Sequence, residues 1–352
     1  MIPADTLLDP GRRGSAAQKL YDGLTRLVIG QDHAIDEIVA AFEHHDGGFC
    51  DPRRTVANFL FLGPTGTGKT RVVEAFAETL HGSPKSLIKI DCAEYRHSHE
   101  ISKLIGSPPG YLGHRETSPQ ITQAKLGAVT SERSLISIVL FDEIEKSNDS
   151  LWNLLLGVLD KGTLTLGDNT KVDMTRCMVF MTGNLGAAEM AHAAGDRIGF
   201  DHAAGPKAVG ESELARIGTG AARKRFTPEF MNRLDRVVTF RALTDAELRA
   251  ILDLELATVQ KRIFDLGAKK AFAFRLSEAV FDVVLHDGYD PRYGARHLKR
   301  AIDRLLSRPL ARLVSSGQIE GGDAIAVDWD GSAMSFRCEA KAGEVAQMKA
   351  AG

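Results

Sequence analysis

Short, almost wholly apolar runs recur through the first two thirds of the chain, at about 59–62, 87–91, 138–141, 177–182 and 236–240. Apolar runs of this length without polar alternation predict strands buried on both faces. Most of the intervals between them carry apolar residues at helical spacing, and that alternation predicts a doubly wound parallel sheet flanked by helices, an α/β fold. Ahead of the first strand, Leu20, Leu24 and Leu27 share one helical face. A break at Val28-Ile29-Gly30-Gln31 then restarts a helix bearing Ile35, Ile38, Val39 and Phe42 and ending at His44 and His45. That break reads equally as a helix junction and as an apolar pocket for a base. Leu151, Leu154, Leu155, Val158 and Leu159 have core spacing and are read as packing only, and 162–174 predicts a hairpin turning at Gly167-Asp168-Asn169.

The pattern changes near Leu243. Thr244 and Glu247 form a capping box for a long helix carrying Leu248, Ile251, Leu252, Leu256, Val259 and Ile263, closed by Gly267. A short strand, a helix from Ser277, a basic helix beginning near Gly294, and two strand-like runs, AIAVDW and MSFRCE, predict a smaller α+β domain. The expected organisation is therefore a loose arm at 1–14, a large domain at 15–242, a small one at 243–339 and a fraying tail at 340–352.

Composition changes this picture little. With 352 residues there is room for two cores, and 44 basic against 46 acidic residues give no global field to draw in nucleic acid or anionic lipid. The four cysteines are far apart and unpaired by motif, which predicts reduced thiols and a cytoplasmic setting. Neither a signal peptide nor a membrane-spanning run is seen. His97, His99 and His114, with His44 and His45, lack a carboxylate or Cys at ligand spacing and are expected to be exposed polar residues.

Three strand ends carry the chemistry. The stretch Gly63, Pro64, Thr65, Gly66, Thr67, Gly68, Lys69, Thr70 fits the Walker A pattern, with a buried strand before it and a helix after it. Small residues let backbone N–H groups turn toward phosphates, Lys69 reaches the terminal phosphates, and the Thr70 hydroxyl is a ligand for Mg²⁺. The strand 138–141 stops at Asp142-Glu143, which matches a Walker B. Asp142 would hold the Mg²⁺ shell and Glu143 would polarise the water attacking the γ-phosphate of ATP. The strand 177–182 ends at Gly183-Asn184, where an amide could orient that water.

In order, GPTGTGKT, GSPPGYLGH, IVLFDEIEKS, FMTGNLG, FTPEFMNRLDRVV and YDPRYGARHLKR span nearly the whole chain. The set resembles the C-terminal ATPase module of the Clp-type AAA+ protein unfoldases, the ClpA, ClpB and ClpC type. The resemblance implies that Val28 and Ile29 flank the adenine, that Asn184 is a sensor, and that Arg296 is the sensor arginine of the small domain. It makes Arg233 an arginine finger reaching a neighbour's nucleotide in a hexamer; in a lone subunit this side chain is expected to face solvent. The chain departs from the family in composition over 115–135 and in Gly183, where Ser is more usual. Its length leaves no room for an amino-terminal substrate domain or a first ATPase module, so a single ring is expected.

Tyr111 and Leu112 lie between Gly110 and Gly113 behind Pro108-Pro109, a setting suited to a mobile apolar paddle that grips polypeptide at an axial pore, or to a structural turn. Ile198-Gly199-Phe200, within an Ala- and Gly-rich segment, reads either as a docking tripeptide for a ClpP-like peptidase or as a local anchor. Together these features predict an ATP-driven, homo-oligomeric protein unfoldase, working with a peptidase or adaptor or alone. A nucleic-acid remodeller would need a basic stripe near the pore, and a nucleotide-gated scaffold would not need Glu143, Asn184 and Arg233.

Overall fold

The computed structural model describes residues 9–107, 118–193, 210–267, 270–289 and 295–341. The chain divides into two compact units, one of Met1–Pro64 and Gly68–Ala242, the other of Leu243–Gly352 together with the three loop residues Thr65–Thr67. The first is built on a five-stranded sheet, with strands β1 (Ala57–Leu62), β2 (Ile88–Asp91), β3 (Ser137–Asp142), β6 (Cys177–Gly183) and β7 (Arg236–Thr239) in the order β2-β3-β6-β1-β7. All four pairings are parallel. The intervening β4 (Thr163–Thr165) and β5 (Lys171–Asp173) form the expected antiparallel hairpin, turning through Asn169 at φ 65°.

Period-two alternation sorts the central strands between two cores. Phe59 and Phe61 of β1, Ile138 and Leu140 of β3, and Met178 and Phe180 of β6 pack against the helices Ser15–Leu27, Asp32–Asp46 and Lys69–His81. Phe59 stacks on Phe180 with ring centroids 4.9 Å apart. The alternate residues Leu60, Leu62, Val139, Phe141, Val179 and Met181 join a second core with helices Asp149–Lys161 and Glu211–Arg225. Continuing the alternation by one step puts Asp142 and Thr182, at the carboxyl ends of β3 and β6, on the face of the helix Lys69–His81. Sequence and packing thus deliver the polar strand ends to one side of one sheet edge.

The run at 87–91 is not the fully buried strand its composition suggests. β2 is an edge strand in which only Ile90 is buried, while Lys89 stands on the face opposite Ile90's core. An edge strand has one hydrogen-bonded neighbour, here β3, and can carry a cation beside it.

The second unit holds β8 (Ala273–Leu276), β9 (Asp323–Trp329) and β10 (Met334–Lys341) in the order β10-β9-β8, with β9 parallel to β8 and antiparallel to β10. Its long helix, Asp245–Asp265, starts on the capping box read from Thr244 and Glu247, each side chain accepting from the other residue's N–H. The basic helix is less regular than expected. A 3₁₀ turn at Ala295–His297 leads into Leu298–Ile302, a π turn spans Asp303–Ser307, and Arg308–Ser315 follows. Pro309 explains the widening, because it lacks an N–H and its ring would clash with the carbonyl four residues back in a regular helix.

Candidate functional site

The loop leaving β1 needs its glycines. Gly63, Gly66 and Gly68 have φ of 143°, 78° and 100°, a region that L side chains avoid. At Gly63 a Cβ would also stand 2.5 Å from the Phe240 carbonyl oxygen. Pro64, Thr65 and Thr67 complete the turn into the helix Lys69–His81, whose N-terminus begins at Gly68 and so points backbone N–H groups and the positive dipole end at the loop. Lys69 is only 7% exposed. Its ammonium donates to the Gly63 and Pro64 carbonyls, both at 2.7 Å, and to Asn184 Oδ1 at 2.9 Å. The loop cation and the amide at the end of β6 are therefore already in contact.

The Walker B pair forms a second group beside it, built on Thr70, the residue after Lys69. Thr70 Oγ1 donates to Asp142 Oδ1 at 3.1 Å, and Thr182 Oγ1 donates to the same oxygen at 2.5 Å. Lys89 Nζ stands 3.2 Å from Asp142 Oδ2. Burial pushes the Asp142 carboxyl up, but the Thr182 hydroxyl, the Lys89 ammonium and the Thr70 hydroxyl together hold it below the usual carboxylate range. A hydroxyl and an ionised carboxylate side by side are hard oxygen donors, the set that Mg²⁺ takes together with phosphate oxygens and water, so these residues fit that ion.

Glu143 adopts φ 58°, a left-handed conformation that costs a non-glycine residue about 1–3 kcal/mol. Its N–H donates to Thr182 Oγ1 at 3.0 Å and its Oε2 pairs with Lys146 Nζ at 2.5 Å, contacts that offset the strain. Thr182, 1% exposed, thus bridges the side chain of Asp142 and the backbone of Glu143. Sequence reasoning missed it, although a hydroxyl inside an otherwise apolar buried strand must find a hydrogen-bond partner.

Behind the pair, Asn184 N–H donates to Glu145 Oε1 at 3.0 Å. A Cβ on Gly183 would lie 3.1 Å from Glu145 Oε2, so the glycine leaves room for that carboxylate. Among the described residues Oε2 has no hydrogen-bond partner. Arg225 buttresses the turn after Glu143, donating to the Glu145 and Ser147 carbonyls and lying 4.1 Å over the Trp152 ring.

The other candidates are placed less centrally. Val28 is buried at the end of the helix Ser15–Leu27 and Ile29 is half-buried. The cleft beside this junction, about 280 Å³, is lined by Gly30, Gln31, His33 and Arg241 among others, and not by Val28 or Ile29. Arg233 does not simply face solvent, as expected of a lone subunit. Its Nε lies 3.1 Å from Asp160 Oδ1, at an angle that makes the contact an ion pair rather than a hydrogen bond. Asp160 directly follows the apolar Leu151–Leu159 stretch, near the end of the helix Asp149–Lys161, where a lone acid gives no cue to an arginine partner. Arg296 is exposed in the 3₁₀ turn Ala295–His297 of the second unit. Tyr111 and Leu112, like Ile198, Gly199 and Phe200, lie outside the described residues.

Among the described residues no helix is long and apolar enough to cross a membrane. Comparison with known proteins agrees with the motif order. The chain is 37% identical over 317 residues to chaperone protein ClpB 2 of Nostoc sp. (strain PCC 7120), covering 90% of this chain and 34% of that one. It is 38% identical over 312 residues to the chloroplastic chaperone protein ClpC of Pisum sativum, covering 89% of this chain and 32% of that one. The chain thus spans about a third of the length of these relatives. Among solved structures, a closed-state cryo-EM reconstruction of Hsp104 with ATPγS and FITC casein matches with a TM-score of 0.75 and 28% identity, over 93% of this chain and 53% of that one. Residues 243–327 match the C-terminal, D2-small domain of ClpB protein. Residues 54–237 match the AAA domain (Cdc48 subfamily), and the chain belongs to that family.

Proposed function

We propose that this chain hydrolyses ATP and uses the energy to unfold polypeptides, as a subunit of a homo-oligomeric, hexameric ring. The observation that carries the first part is the convergence, at the carboxyl end of a parallel sheet, of two hydrogen-bonded groups, Lys69 with Asn184 and Thr70 with Asp142, Thr182 and Glu143, which the consecutive residues Lys69 and Thr70 hold side by side. The Gly63–Thr70 loop and the helix N-terminus bind the phosphates. Lys69, released from its carbonyl acceptors, neutralises the terminal phosphate. Glu143 takes the proton of the attacking water once it leaves Lys146, and Asn184 orients that water from the end of the neighbouring strand β6. Mg²⁺, held by Thr70 and Asp142, would supply charge neutralisation of the β- and γ-phosphate oxygens. Thr182 keeps Asp142 and Glu143 in register without touching substrate. Val28 and Ile29 would contact the base, and Arg233 and Arg296 would sense or complete the site.

The polypeptide part draws on the relatives: ClpB and ClpC are named as chaperones, and the Hsp104 structure was determined with FITC casein. In this chain the gripping residues would be Tyr111 and Leu112. Replacing Tyr111 with Ala removes an aromatic paddle and leaves the phosphate cluster untouched. ATP turnover is expected to stay within about twofold of wild type, while ATP-dependent unfolding of a stably folded, tagged client, followed by loss of its fluorescence, drops by at least about tenfold. Unfolding that survives the substitution would reduce the segment to a turn. Delivery to a ClpP-like peptidase through 198–200 would add a partner that this reading does not require.

A further inference from the structure

The motifs assign no role to Lys89, yet its ammonium reaches the centre of the site. Nζ lies 3.2 Å from Asp142 Oδ2 and 4.0 Å from Glu74 Oε1. The placement follows from the sheet. β2 pairs with β3 so that Lys89 stands beside Leu140, two residues before Asp142 and on the same face. Glu74 lies one helical turn beyond Thr70, so it shares that residue's side of the helix Lys69–His81. Lys89 is therefore shared by two carboxylates, one inside the proposed cation site and one at its margin.

Asp142 Oδ1 takes the short bonds from Thr182 and Thr70, at 2.5 and 3.1 Å, whereas Oδ2 has only a longer Thr70 contact at 3.4 Å beside its lysine, which makes Oδ2 the more exchangeable side of the carboxylate. A divalent cation held by Asp142 and Thr70 brings two positive charges next to a third, and the repulsion acts in a partly desolvated pocket where screening is weak. The Lys89 side chain is 44% exposed and has a flexible stem, so it can turn away without any backbone movement. Glu74, 4.0 Å from the ammonium, is the acceptor on that path.

We infer that Lys89 is an exchangeable counter-ion: it neutralises Asp142 when no divalent cation is bound, moves to Glu74 when one binds, and so sets the affinity of the site for that cation. The inference rests on the nucleotide and cation reading proposed above. It makes Lys89 and Glu74 positioning residues, since neither touches substrate.

The test is Mn²⁺ titrated into the ADP-loaded chain, with bound ion counted by electron paramagnetic resonance against an ADP blank. Lys89→Met is expected to tighten Mn²⁺ binding about fivefold, and Lys89→Arg, which keeps the charge, to stay within about twofold of wild type. Glu74→Gln is expected to weaken binding about two- to threefold, and to have no effect once Lys89 is Met, because a carboxylate that acts only through the lysine has then lost its partner. Circular-dichroism melting of each variant establishes that it is folded. Binding indifferent to Lys89→Met, or an equal effect of Glu74→Gln in both backgrounds, overturns the inference. No nucleotide-dependent Mn²⁺ uptake by the wild-type chain would overturn the nucleotide reading along with it.

Discussion

Glu143→Gln is expected to lower ATP turnover by about 10² to 10⁴-fold while nucleotide still binds. The substitution keeps the size of the side chain and removes only its ability to accept a proton. Phosphate binding lies elsewhere, with the Gly63–Thr70 loop and Lys69, and Asp142 keeps its hydrogen bonds from Thr70 and Thr182. Nucleotide affinity should therefore stay close to wild type, and the variant should hold ATP, and with it polypeptide clients, in a stalled state. The check is a pair of measurements on one preparation: the steady-state rate, and the dissociation constant for a fluorescent ATP analogue. Unchanged turnover would mean that another group is the base. Glu145 is an alternative carboxylate two residues on, though its Oε1 is committed to the Asn184 N–H.

Arg233→Ala is expected to cost as much or more, about 10³ to 10⁵-fold in turnover, again with ATP binding retained. In the single chain Arg233 rests against Asp160, and no hydrogen bond or ion pair among the described residues ties it to Lys69, Asp142 or Glu143. A guanidinium that completes a site in trans would have to leave Asp160 for a neighbour's phosphate. The Arg233–Asp160 pair is partly exposed, so breaking it costs about 1 kcal/mol or less. Mixing Arg233→Ala with Lys69→Ala subunits should restore part of the activity, because the second subunit supplies an intact finger to the first one's intact phosphate loop. Failure of the mixture to recover any turnover would place the effect of Arg233 within its own subunit.

Much of this was legible in the sequence because it is local. Glycines that must adopt positive φ announced the phosphate loop, a strand ending in two acids announced the pair beside it, and the capping box at Thr244 and Glu247 marked the start of the second unit. What stayed hidden depends on which strands are neighbours. Thr182 meets Asp142 only because β6 lies beside β3, and Lys89 meets it only because β2 lies on the other side. No local pattern contains that order. Asp160 and Arg233 are 73 residues apart (233 − 160), joined by the fold alone. The wrong expectation for β2 has the same origin: an apolar run states that a strand is present, and its position at the sheet edge decides how much of it is buried.

The most direct test of the proposed shared ATP site is the ATP turnover rate per subunit, measured against protein concentration from the assembled state down to a demonstrated monomer, with assembly followed in parallel by analytical ultracentrifugation. A site completed by Arg233 of a neighbouring subunit requires the rate per subunit to fall as the oligomer dissociates, by about 10³-fold or more in the isolated chain. A rate per subunit that stays constant down to the monomer would contradict it.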